Sequence, residues 1–384
     1  MADRPGRDGC LGDLETQAAR PLRKHDRLPE GLVCVTLFLQ HQHPLGLLDD
    51  PARVRGRDRI RAVTRREVVD GSATHEHSPT HLSGAFAVVG TIVRTGVVIL
   101  PDLHWPAARG RWVEAEERGF ATAWTYDHLS WRSLCDGPWL GAVPLLAAVA
   151  VVTTRVRLGT LVTSPNFRHP ALLAKDVMTL DELSAGRVDL GIGAGGTGFD
   201  AVALGGPAPS PAERAARFEE FTDALDLLLR EPAAYFEGRF FTAIESRTYP
   251  GCTQQPRVPF TVAAAGRRAL RVAARHGRTW VTFGPLAAEP MPQEWYDAAA
   301  RQSAMLDEEC ATVGRDPASI GRAALVSLGV RWAQESVEAW DDFCGRVADL
   351  GFTDVAVHWP RPDDPSLPGP APVVFEEISR RLTA

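Results

Sequence analysis

The chain is short of everything that would mark a disulfide scaffold, a metal module or a membrane protein. Its six cysteines, at positions 10, 34, 135, 252, 310 and 344, form no CxxC pair and no metal-ligand spacing. They read as isolated reduced thiols of a cytoplasmic protein, with no metal site expected. No apolar run approaches the roughly 18 residues of a membrane helix. The opening residues, MADRPGRDGCLGDLETQ, lack the apolar core of an export signal. Positive charge is not in excess either: the formal net charge is -6 and the pI is near 6.0. That balance offers no global field to nucleic acid or to an anionic membrane. What remains, 45% hydrophobic and 23% charged residues, is the composition of an ordinary globular protein.

Aromatic residues are also nearly missing from the first quarter. All ten Trp and all four Tyr lie beyond residue 95, and Phe38 and Phe86 are the only aromatics before it. The same stretch is dense in Arg, His and Asp, as in DDPARVRGRDRIRAVTRREVVDG, and shows no strand-helix rhythm. Too little large apolar surface is available there to offset the entropy of ordering the chain. Residues 1–94 are therefore expected to be an unstructured or dispensable extension, and residues 95–384 the folded domain.

From residue 96 short apolar or β-branched runs recur, at 96–100, 121–126, 157–163, 188–193, 259–264, 279–283, 323–330 and 354–359. Between them apolar residues take helical spacing, as in Ala108, Trp112 and Ala115, or Phe218, Phe221, Leu225 and Leu228. Pro170 and Pro211 sit where first helical turns should begin. Eight strands, each followed by a helix, predict an α/β fold of the (β/α)₈ TIM-barrel type. A doubly wound open sheet would need a glycine fingerprint on its first turn, and LPDLHWP has none. Residues 231–257 break the rhythm with aromatic runs around Glu237-Gly238, which predicts a β-hairpin inserted between the fourth helix and the fifth strand.

In such a barrel the chemistry sits at the carboxyl ends of the strands. The second strand ends in TYDHLSW, carrying Asp127, His128 and Trp131. The third ends in Thr163 and Ser164, with Arg168 following. The fourth runs into GIGAGGTGFD, where Gly193, Ala194, Gly195 and Gly196 leave room for a flat ligand against the backbone. After the fifth, AAAGRRALRVAARHG leads from Ala265 and Gly266 into a helix that starts with Arg267 and Arg268. Free amide N–H groups and two cations there make a candidate phosphate site. Solvated arginines at an ordinary turn are the equal alternative. His169, before Pro170, reads as structural, and Cys135 and Cys252 have no recognisable base beside them.

The run RVRLGTLVTSPNFRHPALLAKDVMTLDELSAGRVDLGIGAGG, preceded by ERGFATAWTYDHL and followed later by AAAGRRALRVAARHGRTW, resembles the luciferase-like oxidoreductases. The likeness spans about residues 96–384. It implies a TIM-type barrel, usually dimeric, that holds FMN or the deazaflavin coenzyme F420 at its strand ends. It also implies a non-prolyl cis peptide at Leu161-Val162 beneath the cofactor ring, and a cofactor phosphate at Gly266-Arg267. The Asp127-His128 pair matches the one that deazaflavin-using relatives carry, with His128 near the reactive carbon, Asp127 orienting it or a backbone amide, and Trp131 as a pocket wall or core residue. One departure stands out: some deazaflavin enzymes place an acid where Gly196 stands, which argues against a sugar-phosphate dehydrogenase of the best-known type. The Gly/Pro/Ala-rich loops GTGFDAVALGGPAPSP and GPLAAEPMPQ suit an uncharged or hydrophobic organic substrate. The expectation is deazaflavin-dependent hydride transfer. An FMN monooxygenase served by a separate flavin reductase and a flavin-binding barrel without turnover remain the alternatives.

Overall fold

The computed structural model describes residues 85–88, 91–285, 289–326, 330–362, 364 and 369–383. Most of the 1–94 extension, with the expectation attached to it, lies outside the described residues. In chain order the strands and helices are β1 (Ala85–Val88), β2 (Thr91–Val98), α1 (Trp105–Glu117), β3 (Thr122–Thr125), α2 (Ala142–Ala150), β4 (Arg157–Thr163), α3 (Pro170–Leu183), β5 (Val188–Gly193) and α4 (Pro211–Arg230). They continue with β6 (Ala233–Glu237), β7 (Thr242–Arg247), β8 (Phe260–Ala263), α5 (Arg267–His276), β9 (Gly277–Thr282), α6 (Pro292–Thr312), β10 (Gly321–Leu325), α7 (Val337–Asp349), β11 (Asp354–His358) and α8 (Pro372–Leu382).

Eight of these strands pair in parallel and close on themselves. Neighbours follow chain order from β2 through β3, β4, β5, β8, β9 and β10 to β11, and β11 returns to β2 with Asp354 opposite Arg94. This is the expected (β/α)₈ barrel. The inserted hairpin is β6 and β7, antiparallel, with Glu237 opposite Thr242. Pro170 and Pro211 open α3 and α4 as their positions predict, where a missing N–H costs nothing. The first barrel strand begins earlier than the compositional break: β2 starts at Thr91, buries Val93, and pairs with β1. Its early residues look polar because Arg94 reaches Asp354 at 2.8 Å instead of packing in an apolar layer.

Two apolar clusters hold this together. The larger lies between strands and helices and contains the predicted helix faces with Trp112, Phe218 and Phe221, together with Leu173, Val177, Trp340, Val347 and Ile378. The smaller fills the barrel itself with Val98, Trp124, Tyr126, Leu161, Val281 and Leu325. Trp124 fits inside because two neighbouring strands carry glycine. A Cβ at Gly159 would come within 2.5 Å of the indole, and one at Gly96 within 2.8 Å.

Candidate active site at the carboxyl ends of the strands

His128 leaves the end of β3 and turns its ring toward the loop after β5. Its Nδ1 lies 2.5 Å from Oδ2 of Asp200, a buried residue of the short 3₁₀ turn Phe199–Ala201. The other oxygen of Asp200 accepts the backbone N–H of Leu129 at 2.7 Å. A carboxylate can only accept, so Nδ1 carries the proton and Nε2 is left as the atom that can take or give one. The main chain is held as well: Trp139 Nε1 donates to the His128 carbonyl at 2.8 Å.

Asp127 points elsewhere. It is buried, accepts from Thr163 Oγ1 at 2.5 Å, and takes Arg168 bidentately at 2.7 and 3.1 Å. Burial works most strongly against the Arg168 charge, but the bond to Asp127 together with the charges of Asp127, Asp176 and Asp200 offsets it and holds the guanidinium above its ordinary range. The expected orientation of His128 by Asp127 is thus corrected. Asp127 ties the end of β3 to the loop after β4, and the acid on His128 is Asp200. That acid was missed because it stands four residues beyond the glycine position where one was sought. Its signal was available: Asp200 is the only acidic residue between 194 and 212.

An aromatic wall flanks His128. The rings of Trp131 and Trp139 stack with centroids 6.2 Å apart, and Tyr126 meets Trp131 edge-on at 5.1 Å. Trp131 is partly buried and packs on the barrel-core cluster. Tyr126 also bonds His358, the last residue of β11, with its hydroxyl 2.8 Å from Nε2, while Nδ1 faces the Val326 carbonyl at 3.2 Å. The carbonyl fixes the proton on Nδ1, so Tyr126 donates to Nε2. Burial pushes the His358 pKa down to about 4, although the carbonyl opposes it, and burial raises the Tyr126 hydroxyl above its usual range. Neither residue was singled out from sequence.

The peptide Leu161-Val162 is cis, at the expected place, with Leu161 buried and Val162 partly exposed beneath the mouth. Thr163 and Ser164 are buried behind it. The loops after β4 and β5 interlock: Asn166 donates to the Gly196 carbonyl at 3.0 Å, and Gly195, at φ +75°, has no room for a Cβ beside the Asn166 amide. His169 caps α3 through its own Nδ1, a structural duty.

The turn before α5 differs from its sequence reading. Gly266 is the N-cap and offers no side-chain cap to the first amides of the helix. A Cβ there would meet no atom within 4 Å, so the space beside the N-cap is open. The two cations are already engaged: Arg267 pairs with Glu308 at 2.5 Å and Glu309 at 3.3 Å, and Arg268 with Glu219. Backbone amides, not free arginines, are what this turn presents.

These features fit a flat, phosphate-bearing cofactor on three counts: an open cradle at Gly266, a partly exposed Val162 floor, and a histidine whose Nε2 has no partner among the described residues. Among the described residues no group of three or more His, Cys, Asp or Glu could hold a metal ion, and no helix is long and apolar enough to cross a membrane.

The luciferase-like monooxygenase family model matches residues 83–363, and the chain belongs to that family. Among curated relatives it is 35% identical, over 204 residues, to an F420-dependent glucose-6-phosphate dehydrogenase of Kineococcus radiotolerans, covering 51% of this chain and 59% of that protein. The chain thus spans less than two thirds of that relative's length. An uncharacterized protein of Mycobacterium tuberculosis is 30% identical over 224 residues, 58% of this chain and 69% of its own. Two solved structures share the fold. One is an F420-dependent secondary alcohol dehydrogenase with an F420-acetone adduct (TM-score 0.63, 18% identity, 76% and 99% of the two chains). The other is a monooxygenase from Streptomyces bottropensis (TM-score 0.54, 24% identity, 75% and 96%).

Proposed function

We propose that the protein is a deazaflavin-dependent oxidoreductase that moves a hydride between coenzyme F420 and a small organic substrate. The observation that carries this reading is the His128-Asp200 pair at the mouth of a barrel of this family. The relatives named as F420-dependent support it. The first amides of α5, opened by Gly266, would hold the cofactor phosphate. The Leu161-Val162 edge and the Gly193–Gly196 turn would carry its ring. When bound, the deazaflavin supplies the hydride-carrying carbon.

The protein's own part is to hold a proton. Asp200 keeps the Nδ1–H of His128 engaged, so that Nε2 can give a proton to, or take one from, a substrate oxygen as a general acid or base. Asp200 is a positioning residue, and Asp127 with Arg168 keeps the adjoining loops in register. The wall of Tyr126, Trp131 and Trp139, with the apolar residues of the β5 loop, suits an uncharged or hydrophobic substrate and keeps water from the reacting atoms.

Titration of the apo-protein with F420 and with FMN tests the cofactor. Tight FMN binding without F420 binding would replace this reading with an oxygen-using FMN monooxygenase, which the family name favours and which would need a flavin reductase as partner. The acid that Asp200 sets against His128 favours turnover over a binding barrel without it. We place the enzyme in the cytoplasm as a homodimer, to be checked by fractionation and by mass in solution.

A further inference from the structure

The opposite end of the barrel holds a cavity of about 360 Å³ whose charged lining the site above does not use and which shares only Leu161 with it. It opens among the amino-terminal ends of the strands and reaches inward to Trp124, Leu161 and Val281 of the barrel core. Its charged lining is Arg94, Arg155, Arg157 and Arg278 against Asp189 and Asp354, four cations and two anions, an excess of two positive charges.

The carboxylates are already committed. Asp189, almost fully buried, accepts from Thr261 at 2.8 Å and Arg278 at 2.7 Å, while Asp354 takes Arg94 at 2.8 Å. The guanidinium groups are not equally served. Arg157 donates from one terminal nitrogen to the Val188 carbonyl at 2.7 Å and Gln254 at 3.2 Å, but its Nε is buried without a hydrogen-bond partner, 3.8 Å from the Asp189 oxygen that Arg278 occupies. Arg155 makes no side-chain hydrogen bond among the described residues. Burial, with the neighbouring charges of Arg278 and Arg94, holds Arg157 below the usual arginine range in spite of Asp189. Arg94, Arg155 and Arg278 reach solvent, but Arg157 is largely buried beside the apolar floor, where a charge is costly unless something anionic completes it. Arginine forks match the oxygens of a phosphate, and the volume lies at the low end of small-molecule sites.

We propose that this amino-terminal cavity binds a small dianionic oxyanion, namely inorganic phosphate or the phosphoryl group of a phosphomonoester. The plain alternative is a charge network that only closes the bottom of the barrel, where side chains usually serve stability. Binding is measured on the full-length protein by calorimetry and by thermal melting, with inorganic phosphate, glucose 6-phosphate and chloride at matched ionic strength. Three variants accompany the wild type: Arg155→Gln/Arg278→Gln, the exposed Arg155→Gln alone in case the double variant fails to fold, and Gly266→Asp to obstruct the α5 amides. At 100-fold excess over Kd, phosphate should raise Tm by about 3 °C or more above chloride. Gly266→Asp should leave that binding unchanged, and the arginine variants should weaken it about 10-fold or more. Tighter binding of glucose 6-phosphate would assign an ester, and tighter binding of inorganic phosphate the free ion. No gain over chloride, or binding abolished by Gly266→Asp and untouched by the arginine variants, would overturn the proposal.

Discussion

His128 and Asp200, 72 residues apart, meet through a 2.5 Å contact that fixes the imidazole tautomer. If Nε2 of His128 transfers a proton in the slow step, His128→Asn should lower kcat about 100-fold or more, with cofactor Kd and Tm nearly unchanged. Asp200→Asn should lose less, about 10-fold, again in kcat and not in cofactor Kd. Single-turnover hydride transfer beside thermal melting checks both. Normal rates in His128→Asn would make this histidine a packing residue.

Asp127 should behave differently from Asp200. Its removal strands Arg168 in a partly buried position and frees Thr163, so Asp127→Ala should cost on the order of 3 kcal/mol of stability. Urea unfolding measures the loss. A variant of full stability but no turnover would return Asp127 to a role in the chemistry.

Gly266→Asp separates helix stability from cofactor binding. The Gly266 backbone, at φ -106° and ψ 156°, suits an N-cap aspartate, which should stabilise α5 by about 0.3 kcal/mol. The same carboxylate would occupy the amides proposed for the phosphate, so cofactor Kd should rise about 10-fold or more. Arg267→Glu, which acts on a side chain already turned to Glu308, should weaken the cofactor much less. Equal effects of the two variants in a fluorescence titration would place the phosphate at the arginine.

The buried His358 predicts an acid limb of stability. Its folded pKa is about 4 against an ordinary value of 6.5, so the folded state resists the proton that the unfolded chain accepts. The stability it contributes is whole above pH 6.5, declines below it, and is lost as pH falls through about 4, on the order of 3 kcal/mol in all. Unfolding free energies from pH 7.5 to 4 should therefore fall less steeply in His358→Gln, which does not titrate. Parallel curves would mean that His358 is accessible to protons in the fold.

The boundary of the folded domain can be placed by truncation. A chain beginning at residue 83 should keep the barrel. One beginning at residue 95 loses buried Val93 and the Arg94-Asp354 pair, and should melt lower or fail to fold. Equal melting of both would restore the compositional boundary.

The sequence by itself determined the barrel. Strands buried on both faces must be continuous apolar runs, so 157–163 and 188–193 coincide with β4 and β5 to the residue, and prolines mark the starts of α3 and α4. It also placed His128, the glycine turn and Gly266 at strand ends, because period and order are local properties. Only the tertiary structure decided the partners. Asp127 belongs to Arg168, His128 to Asp200, Tyr126 to His358 and Arg267 to Glu308, each pair joined across different strands or helices. Which charge meets which depends on the closure and register of the barrel, and no spacing along the chain encodes that distance.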